Sequence, residues 1–392
     1  MKTLVTGGAG FIGSHIVDRL LAEGYEVKIL DNLESRVHPK GKPPYIAKEA
    51  EFIEGDARSK DDLRKALQDV KVVFHHSAYQ DYMPNYSKFI HSNVVSTALI
   101  CEIINEDALP VEKIIIASSQ AVYGEGQYQC MKHGLIQPPA RPREQLEKAD
   151  WEVRCPICDE YMNPLRLREE YANPYNQYAL SKYSQELTAL RLGKLLGIPT
   201  VALRYSITQG PRQSLYNQYS GICRIFSLRL LNGKPPIIYE DGRQQRDYVH
   251  IDDVVEANML VLQSDETDFQ VLNVGSGKPI TVLEYAELLM RKLDKKIEPR
   301  VLGEYRLGDN RHSVSDISKL KALGWAPKKG LEEIFDDYIA WARSLGDLGE
   351  YFEDADITMR KMEVVRKARR GRPQTRRACF VTPAIPSEQV SK

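Results

Sequence analysis

The sequence predicts an α/β protein: a doubly wound parallel sheet, a smaller α+β lobe laid over it, and an insertion containing cysteine and histidine. Three observations carry this prediction. The chain opens on a strand, a glycine turn and a helix; strands then alternate with helices as far as residue 205; and the alternation stops over residues 125–170, where two closely spaced Cys/His pairs occur.

Lys2 to Thr6 reads as a short buried strand, Gly7, Gly10 and Gly13 form the turn, and Ile12, Ile16 and Leu20 recur at helical spacing. Lacking Cβ atoms, such a turn can bend tightly and approach a pyrophosphate, whose charge the first-turn N–H groups and the helix dipole stabilise. Three glycines alone could be no more than a tight connection, and it is the next strand that gives them a purpose. That strand (Val27, Ile29, Leu30) ends at Asp31, roughly twenty residues past the glycines, where a carboxylate can accept from both ribose hydroxyls and would repel a 2′-phosphate. The unit predicts NAD rather than NADP, held by Gly7, Gly10, Phe11, Ile12, Gly13 and Asp31.

Composition narrows the class. Lysine plus arginine and aspartate plus glutamate number 54 each, so no global field favours nucleic acid or an anionic membrane. There is no run of eighteen apolar residues, and a strand beginning at residue 2 leaves no room for a signal peptide. These features predict a cytoplasmic protein with neither a nucleic-acid nor a membrane partner. In a reducing compartment its six cysteines are thiols or metal ligands rather than disulfides.

Glu51 to Asp56 reads as a third strand ending in Gly-Asp, with Asp56 either an acceptor for the adenine amino group or an ordinary turn acid. A helix follows around Asp61 to Gln68. Next comes the β-branched run Val70 to His76, whose adjacent histidines face opposite ways and so are not a metal pair; the small Ser77 and Ala78 suit a backbone lying against the cofactor. Tyr86 to Ile104 has a helical pattern, with Asn93 the polar exception on its buried face, where it can bridge backbone or reach the cofactor. Lys113 to Ser119 is the fifth strand, placing Ser118 and Ser119 at a carboxyl end, where ligands bind in such sheets.

Within the insertion, Cys130-Met-Lys-His133 and Cys155-Pro-Ile-Cys158 pair as C-x₂-H and C-x₂-C. That spacing fits a closed tetrahedral zinc site of three thiolates and one imidazole, structural because no position remains for water. Unrelated loop side chains or a redox pair at Cys155 and Cys158 are the alternatives. A metal would explain how this segment stays ordered without an evident core.

From Asn173 the chain is helical through Leu195, and Tyr178 and Lys182, four apart, share a face. An ammonium beside a phenol favours the phenolate, which can take a proton from a sugar hydroxyl as hydride leaves the same carbon. Thr200 to Tyr205 is a sixth strand. Residues 206–345 then form the smaller lobe, some of whose segments return to the sheet: Val271 to Val274 is a further strand, Thr281 caps a helix through Leu293, and a last helix ends near Leu345. Arg224, Arg246 and Arg311 are candidates for a substrate diphosphate, though taken singly each reads first as an ordinary surface arginine. Residues 346–392 read as a solvated tail, with nine lysines or arginines between Arg360 and Arg377.

The motifs together resemble the extended short-chain dehydrogenase/reductase family of nucleotide-sugar-modifying enzymes, over nearly all of residues 1–345. Thr6-Gly-Gly-Ala-Gly-Phe-Ile-Gly13, Asp31-Asn32, Gly55-Asp56, Ser118-Ser119-Gln-Ala-Val-Tyr-Gly124, Tyr178-x₃-Lys182, Gly210-Pro-Arg212, Arg246-Asp-Tyr-Val and Asn273-Val-Gly-Ser-Gly277 occur in that family's order. The resemblance implies a Rossmann-type first domain, residues 1–205, binding NAD, and a second lobe binding a nucleotide-diphosphate sugar. It implies Ser119, Tyr178 and Lys182 as the catalytic set. It extends the NAD set to Asn32, Asp56, Ala57, Ser77, Ala78, Asn93, Tyr178, Lys182 and Tyr205, and the substrate set to Ser119, Gln120, Arg212, Arg224, Tyr239, Arg246 and Arg311. A homodimer is implied as well. The family's dehydratases and decarboxylases carry acids after the catalytic hydroxyl; Gln120 and Ala121 stand there instead, which leaves 4-epimerase chemistry. Arg204 to Ser214, Tyr219-Ser-Gly221 and the Cys/His insertion are most similar to the dTDP-L-rhamnose 4-epimerase group. Ile207 departs from the asparagine usual at its position.

Overall fold

A computed structural model describes residues 1–216, 221–346, 357 and 360–369. Tyr219 and Ser220 of the motif above, and the part of the basic stretch beyond residue 369, lie outside the described residues.

Strands β1 (Lys2–Thr6), β2 (Glu26–Asp31), β3 (Glu51–Glu54), β4 (Val72–His75), β5 (Lys113–Ser119), β9 (Thr200–Tyr205) and β14 (Val271–Val274) form one sheet in the order β14-β9-β5-β4-β1-β2-β3. Every pairing in it is parallel. The central strands are rich in apolar residues because both faces are covered, while edge strand β3 (Glu-Phe-Ile-Glu) is only partly buried, and the pleat deals alternate residues to opposite sides. Val5, Ile29, Phe74, Ile115 and Val201 pack with helices α1 (Phe11–Ala22) and α8 (Ile251–Gln263). Their neighbours Leu4, Leu30, Val73, Ile116 and Ala202 pack with α2 (Lys60–Leu67), α4 (Ser96–Glu106) and α6 (Gln177–Leu196). The order reverses between β1 and β4, so a crevice opens beyond their carboxyl ends, where such sheets hold ligands.

The helix expected over Tyr86 to Ile104 forms as α3 (Tyr86–Phe89), a π-helical stretch (Ile90–Val95) and α4. The widened turns carry Asn93, whose amide is wholly engaged by neighbours described below. The insertion folds as a three-stranded sheet, β7-β6-β8, of Tyr128–Cys130 (β6), Gly134–Ile136 (β7) and Asn163–Pro164 (β8), with helix α5 (Arg143–Glu147). Its core is small: Tyr128, Val153, Met162, Cys130 and Cys155.

The smaller lobe has its own core of Phe226, Leu228, Tyr248, Tyr285, Leu289, Phe335 and Tyr338, drawn from α7 (Ile222–Leu231), α9 (Val282–Lys292) and α11 (Leu331–Ser344). Thr281 caps α9 as expected, in a reciprocal box with Glu284. Short strands complete the lobe: β10 (Ile207–Gln209) with β13 (Tyr248–His250), β11 (Ile237–Ile238) with β16 (Arg300–Val301), and β12 (Gln245–Arg246) with β15 (Ile280–Thr281). Helix α10 (Ser318–Ala322) packs under β14, at the sheet edge to which the lobe's chain returns.

One expectation is corrected. The basic stretch from Arg360 does not begin as a solvated tail: Val365–Lys367 (β18) pairs antiparallel with Glu304–Arg306 (β17). Val365 is buried, Arg360 clamps Glu304 with two bonds of 2.9 and 2.8 Å, and the Arg369 N–H donates to the Glu147 carbonyl at 2.8 Å. Opposite charge and paired backbone outweigh the solvation that a run of basic residues otherwise favours.

Candidate active site and Cys/His knuckle

A cavity of ≈ 1240 Å³ runs from the glycine turn to β17 and β18, more than a single drug-sized ligand fills. Its floor is the turn between β1 and α1. Gly7 has φ +69° and a Cβ there would lie 2.8 Å from the Ser77 nitrogen; a Cβ on Gly13 would lie 2.3 Å from the Gly7 carbonyl oxygen. Gly10, the N-cap of α1, has no capping side chain. This leaves a concave surface at a helix N-terminus, the form an anionic pyrophosphate requires. Phe11, Ile12, Asp31, Asn32, Ala57, Ser77 and Ala78 line the same end. Asp31 accepts from the N–H groups of Ala9 at 3.0 Å and Leu33 at 2.9 Å, and burial raises its pKa. Asp56 also lines the cavity, but Arg58 grips its carboxylate at 2.9 and 2.6 Å and, with Asn32, holds its pKa down to about 2. Any adenine contact there is shared with Arg58. The donor set, an open turn with a buried ribose-height carboxylate, fits a dinucleotide.

Beyond this end, β5 delivers Ser119 beside Tyr205, and α6 brings Tyr178 and Lys182 over them. Asn176 caps α6 by accepting from the Ala179 N–H at 2.8 Å, which sets Tyr178 in the first turn. Ser119 Oγ accepts from the Ala121 N–H at 3.1 Å and stands near enough to the Tyr178 phenol to favour its ionisation. Lys182 is buried, and its Nζ donates to the Ala117 carbonyl and to Gln185 Oε1, both at 2.8 Å. The ammonium is therefore held on backbone and amide, not on the phenol four residues before it. Burial pushes the Tyr178 pKa up to about 12, against the pull of Ser119, and pushes Lys182 down to about 7. In the protein alone the phenol is thus not yet a base, which differs from the expectation that the i, i+4 spacing sets up. Tyr205 completes the row, accepting from His76 Nε2 at 2.9 Å and donating to Asn258 Oδ1 at 3.0 Å.

Three predicted residues are not brought to the cavity. Asn93 accepts from the Tyr79 N–H at 2.8 Å and donates to the Tyr79 carbonyl and Ser181, so it shapes the wall from behind. Arg224 is fully buried in α7 and donates to the Leu215 carbonyl at 3.1 Å. Arg311 is fully buried too, ion-paired with Glu152, Glu240 and Asp241. A guanidinium with three carboxylates has no capacity left for a diphosphate.

Gln120, Arg212, Tyr239 and Arg246 do line the cavity. Arg212 pairs with Asp18 at 2.6 Å and lies over Tyr45, while Arg246 donates to the carbonyls of Gln245, Asn310 and Arg311. A cation that sequence reasoning missed stands among them. Arg306 is stacked between the rings of Tyr82 (4.8 Å) and Tyr239 (5.0 Å) and pairs with Asp309 at 2.7 Å. Its only sequence signal is an arginine at the end of a short strand before a Gly-Asp turn.

In the insertion, Cys130, His133, Cys155 and Cys158 converge, their ligand atoms all within 4.8 Å of one another. Cys130 Sγ lies 3.6 Å from His133 Nδ1 and 3.7 Å from Cys158 Sγ, and Cys155 Sγ lies 3.6 Å from His133 Nδ1. A tetrahedral zinc with Zn–S of about 2.3 Å and Zn–N of about 2.0–2.1 Å sets S···S near about 3.8 Å and S···N near about 3.5 Å.

The model of the NAD dependent epimerase/dehydratase family matches residues 3–145 and 159–275. The chain is 33% identical to dTDP-L-rhamnose 4-epimerase of Burkholderia thailandensis over 348 residues, covering 87% of this chain and 94% of that protein. It resembles the structure of UDP-glucose 4-epimerase from Thermotoga maritima with UDP-glucose, at TM-score 0.72 and 30% identity, over 88% of this chain and 100% of that one. The UDP-glucose 4-epimerase of Thermus thermophilus in complex with NAD is similar at TM-score 0.67 and 30% identity, over 88% of this chain and 99% of that one.

Proposed function

The chain belongs to the NAD dependent epimerase/dehydratase family, and from that premise we propose that it is an NAD-dependent nucleotide-sugar 4-epimerase acting through a transient 4-keto sugar. The observation that carries the reading is the convergence of the glycine cradle, Ser119, Tyr178 and Lys182 on one cavity. Bound NAD supplies a hydride acceptor that later returns the hydride, together with a positive charge that favours the ionised phenol. Tyr178 Oη takes the proton from the sugar O4 and gives it back, and Ser119, beside the phenol at the end of β5, is placed to hold the same sugar oxygen. Lys182, fixed on Ala117 and Gln185, keeps α6 and β5 at one spacing and raises the local positive potential when protonated. Gln120 and Ala121, with no carboxyl group, offer no acid to expel an oxygen at C6. Arg246, Arg306 and Arg212 are the cavity cations suited to the diphosphate.

The sugar is dTDP-L-rhamnose or a similar dTDP- or UDP-hexose, on the likeness to the Burkholderia enzyme. Incubation with a panel of nucleotide sugars without reductant, followed by NMR, names the substrate; a requirement for stoichiometric NADH would overturn epimerisation in favour of net reduction. Tyr178→Phe should lose turnover by about 10²-fold or more while retaining NAD, and undiminished activity would sink the assignment. The knuckle binds one structural zinc, supported by its donor spacing; metal analysis should find one zinc per chain and less in Cys155→Ser. No disulfide joins the described cysteines, which suits a cytoplasmic enzyme, and no described helix is long and apolar enough to cross a membrane. A homodimer would bury Leu180 and Leu187, exposed on one face of α6, which sedimentation would detect.

A further inference from the structure

Residues 146–158 fall in the gap of the family match and include two knuckle cysteines. Three residues before the first of these stands Glu152, which points away from the knuckle into the substrate lobe and is buried. One of its oxygens accepts from Arg311 at 3.1 and 2.6 Å, and the other accepts from His312 Nε2 at 3.1 Å. His312 Nδ1 accepts from the Gln245 N–H at 3.2 Å, which fixes the ring proton on Nε2, toward Glu152. A second carboxylate of the insertion, Glu125, accepts from the Arg311 N–H.

The other side of this segment is cavity wall. The carbonyls of Asn310 and Arg311 hold the Arg246 guanidinium, each at 2.9 Å. Ser313 Oγ donates to Gln120 Oε1 at 3.0 Å, one residue from Ser119. The knuckle, in turn, holds Glu152: Val153 packs with Cys130, Cys155 and Met162, and its carbonyl accepts from the Met162 N–H at 3.0 Å. A continuous path of close contacts therefore runs from the four metal ligands through Glu152 to Arg311 and His312, and on to Arg246 and Gln120.

We propose that Glu152 is a positioning residue for the nucleotide-sugar substrate, and that the Cys/His knuckle serves to hold it in place against Arg311 and His312. The proposal rests on the epimerase and zinc readings, and its test separates them. Glu152→Gln keeps the side-chain volume but leaves Arg311 and His312 one carboxylate short, so segment 310–313 and Arg246 shift within the cavity. In the full-length protein, Glu152→Gln should raise KM for the nucleotide sugar, and the Kd for dTDP and UDP by calorimetry, at least tenfold, with kcat within about threefold and NAD content unchanged. His312→Gln should shift the same constants in the same direction, and Glu152→Asp should recover part of the loss. Stripping the metal from the parent with a chelator should weaken dTDP and UDP binding to the level of Glu152→Gln, yet weaken that variant no further. Unchanged KM and Kd in both variants, or a joint fall of kcat, NAD content and thermal midpoint, would overturn the positioning role. Protein free of zinc from the outset would overturn the knuckle's part while the variants still test Glu152. Calorimetry and NAD content read out even if no nucleotide sugar is turned over, which would defeat only the epimerase reading.

Discussion

Gly13→Ala tests the dinucleotide cradle with one methyl group. The new Cβ would lie 2.3 Å from the Gly7 carbonyl oxygen and 2.9 Å from the Gly7 carbonyl carbon and Gly8 Cα. All three are main-chain atoms, so no rotamer change relieves the overlap. Close C···O contacts in proteins sit at about 3.3–3.6 Å, so the turn and the start of α1 must part by about 1 Å. Overpacking of this kind costs about 1–3 kcal/mol. If that cost falls on the bound form, in which the turn must close on the pyrophosphate, NAD affinity drops by about 5- to 150-fold. The assay is NAD released by denaturation, counted per chain, with the thermal midpoint recorded with and without added NAD. Gly24→Ala is the control: its φ of +81° is also strained for alanine, but its Cβ would meet nothing within 4 Å. Gly24→Ala should lose stability and keep NAD, whereas Gly13→Ala should lose NAD. Parent-like NAD content in Gly13→Ala would refute the assignment of the turn.

Further outcomes are expected from other parts of the structure. His75 is wholly buried between Thr6 and Ser96, and burial pushes its pKa down to about 3; unfolded, it returns to about 6.5. Below pH 6.5 the unfolded chain takes a proton the native state refuses, so stability falls by about 1.4 kcal/mol per pH unit from this group as pH drops from 6.5 toward 3. His75→Asn should flatten the urea-unfolding free energy by that slope between pH 6 and 4, and an unchanged slope would contradict the buried neutral ring. Ending the chain at residue 346 removes β18, whose flank lines the cavity through Met362, Val364 and Arg366; KM should rise on the order of tenfold with NAD retained, and an unaltered KM would show the strand to be dispensable. The Glu186–Arg204 pair, at 2.6 Å and almost without exposure, also binds Ser118 behind the catalytic strand. Glu186→Gln should cost about 3–5 kcal/mol in unfolding free energy, and a loss below 1 kcal/mol would mean that solvent reaches the pair.

The sheet was legible because its signals are local. Most strands carry a core of apolar residues bounded by a turn within a few residues, and the glycine unit carries its own chemistry within thirteen residues. Ser119, Tyr178 and Lys182 were legible for the same reason: a strand end and one helical turn place them. The convergence of the Cys/His pairs was legible through their spacing, since two closely spaced pairs on short turns can be folded against one another. What the sequence could not show is how long polar side chains are shared out. Arg311 reads as a free cation until Glu152, Glu240 and Asp241 arrive from two distant segments. Lys182 reads as a partner of Tyr178 until the Ala117 carbonyl, on strand β5, and Gln185 take up its N–H donors. Asn93 reads equally as cofactor ligand or backbone bridge, because the widened turns around it leave no trace in a helical pattern. Residues 365–367 read as solvated because their partner strand lies some sixty residues earlier and offers only three residues of pairing.

That late pairing sets an order in time. The parallel sheet is complete once β14, ending at Val274, has left the ribosome, whereas β18 begins at Val365, about 90 residues later. At about 5–20 residues per second this is an interval of about 5–18 s. During it the nascent chain possesses the glycine cradle and the catalytic strand but not the final wall of the substrate cavity. The glycine cradle is therefore made well before the last wall of the cavity, so a ligand of the cradle can bind while the far end of the cavity is still open.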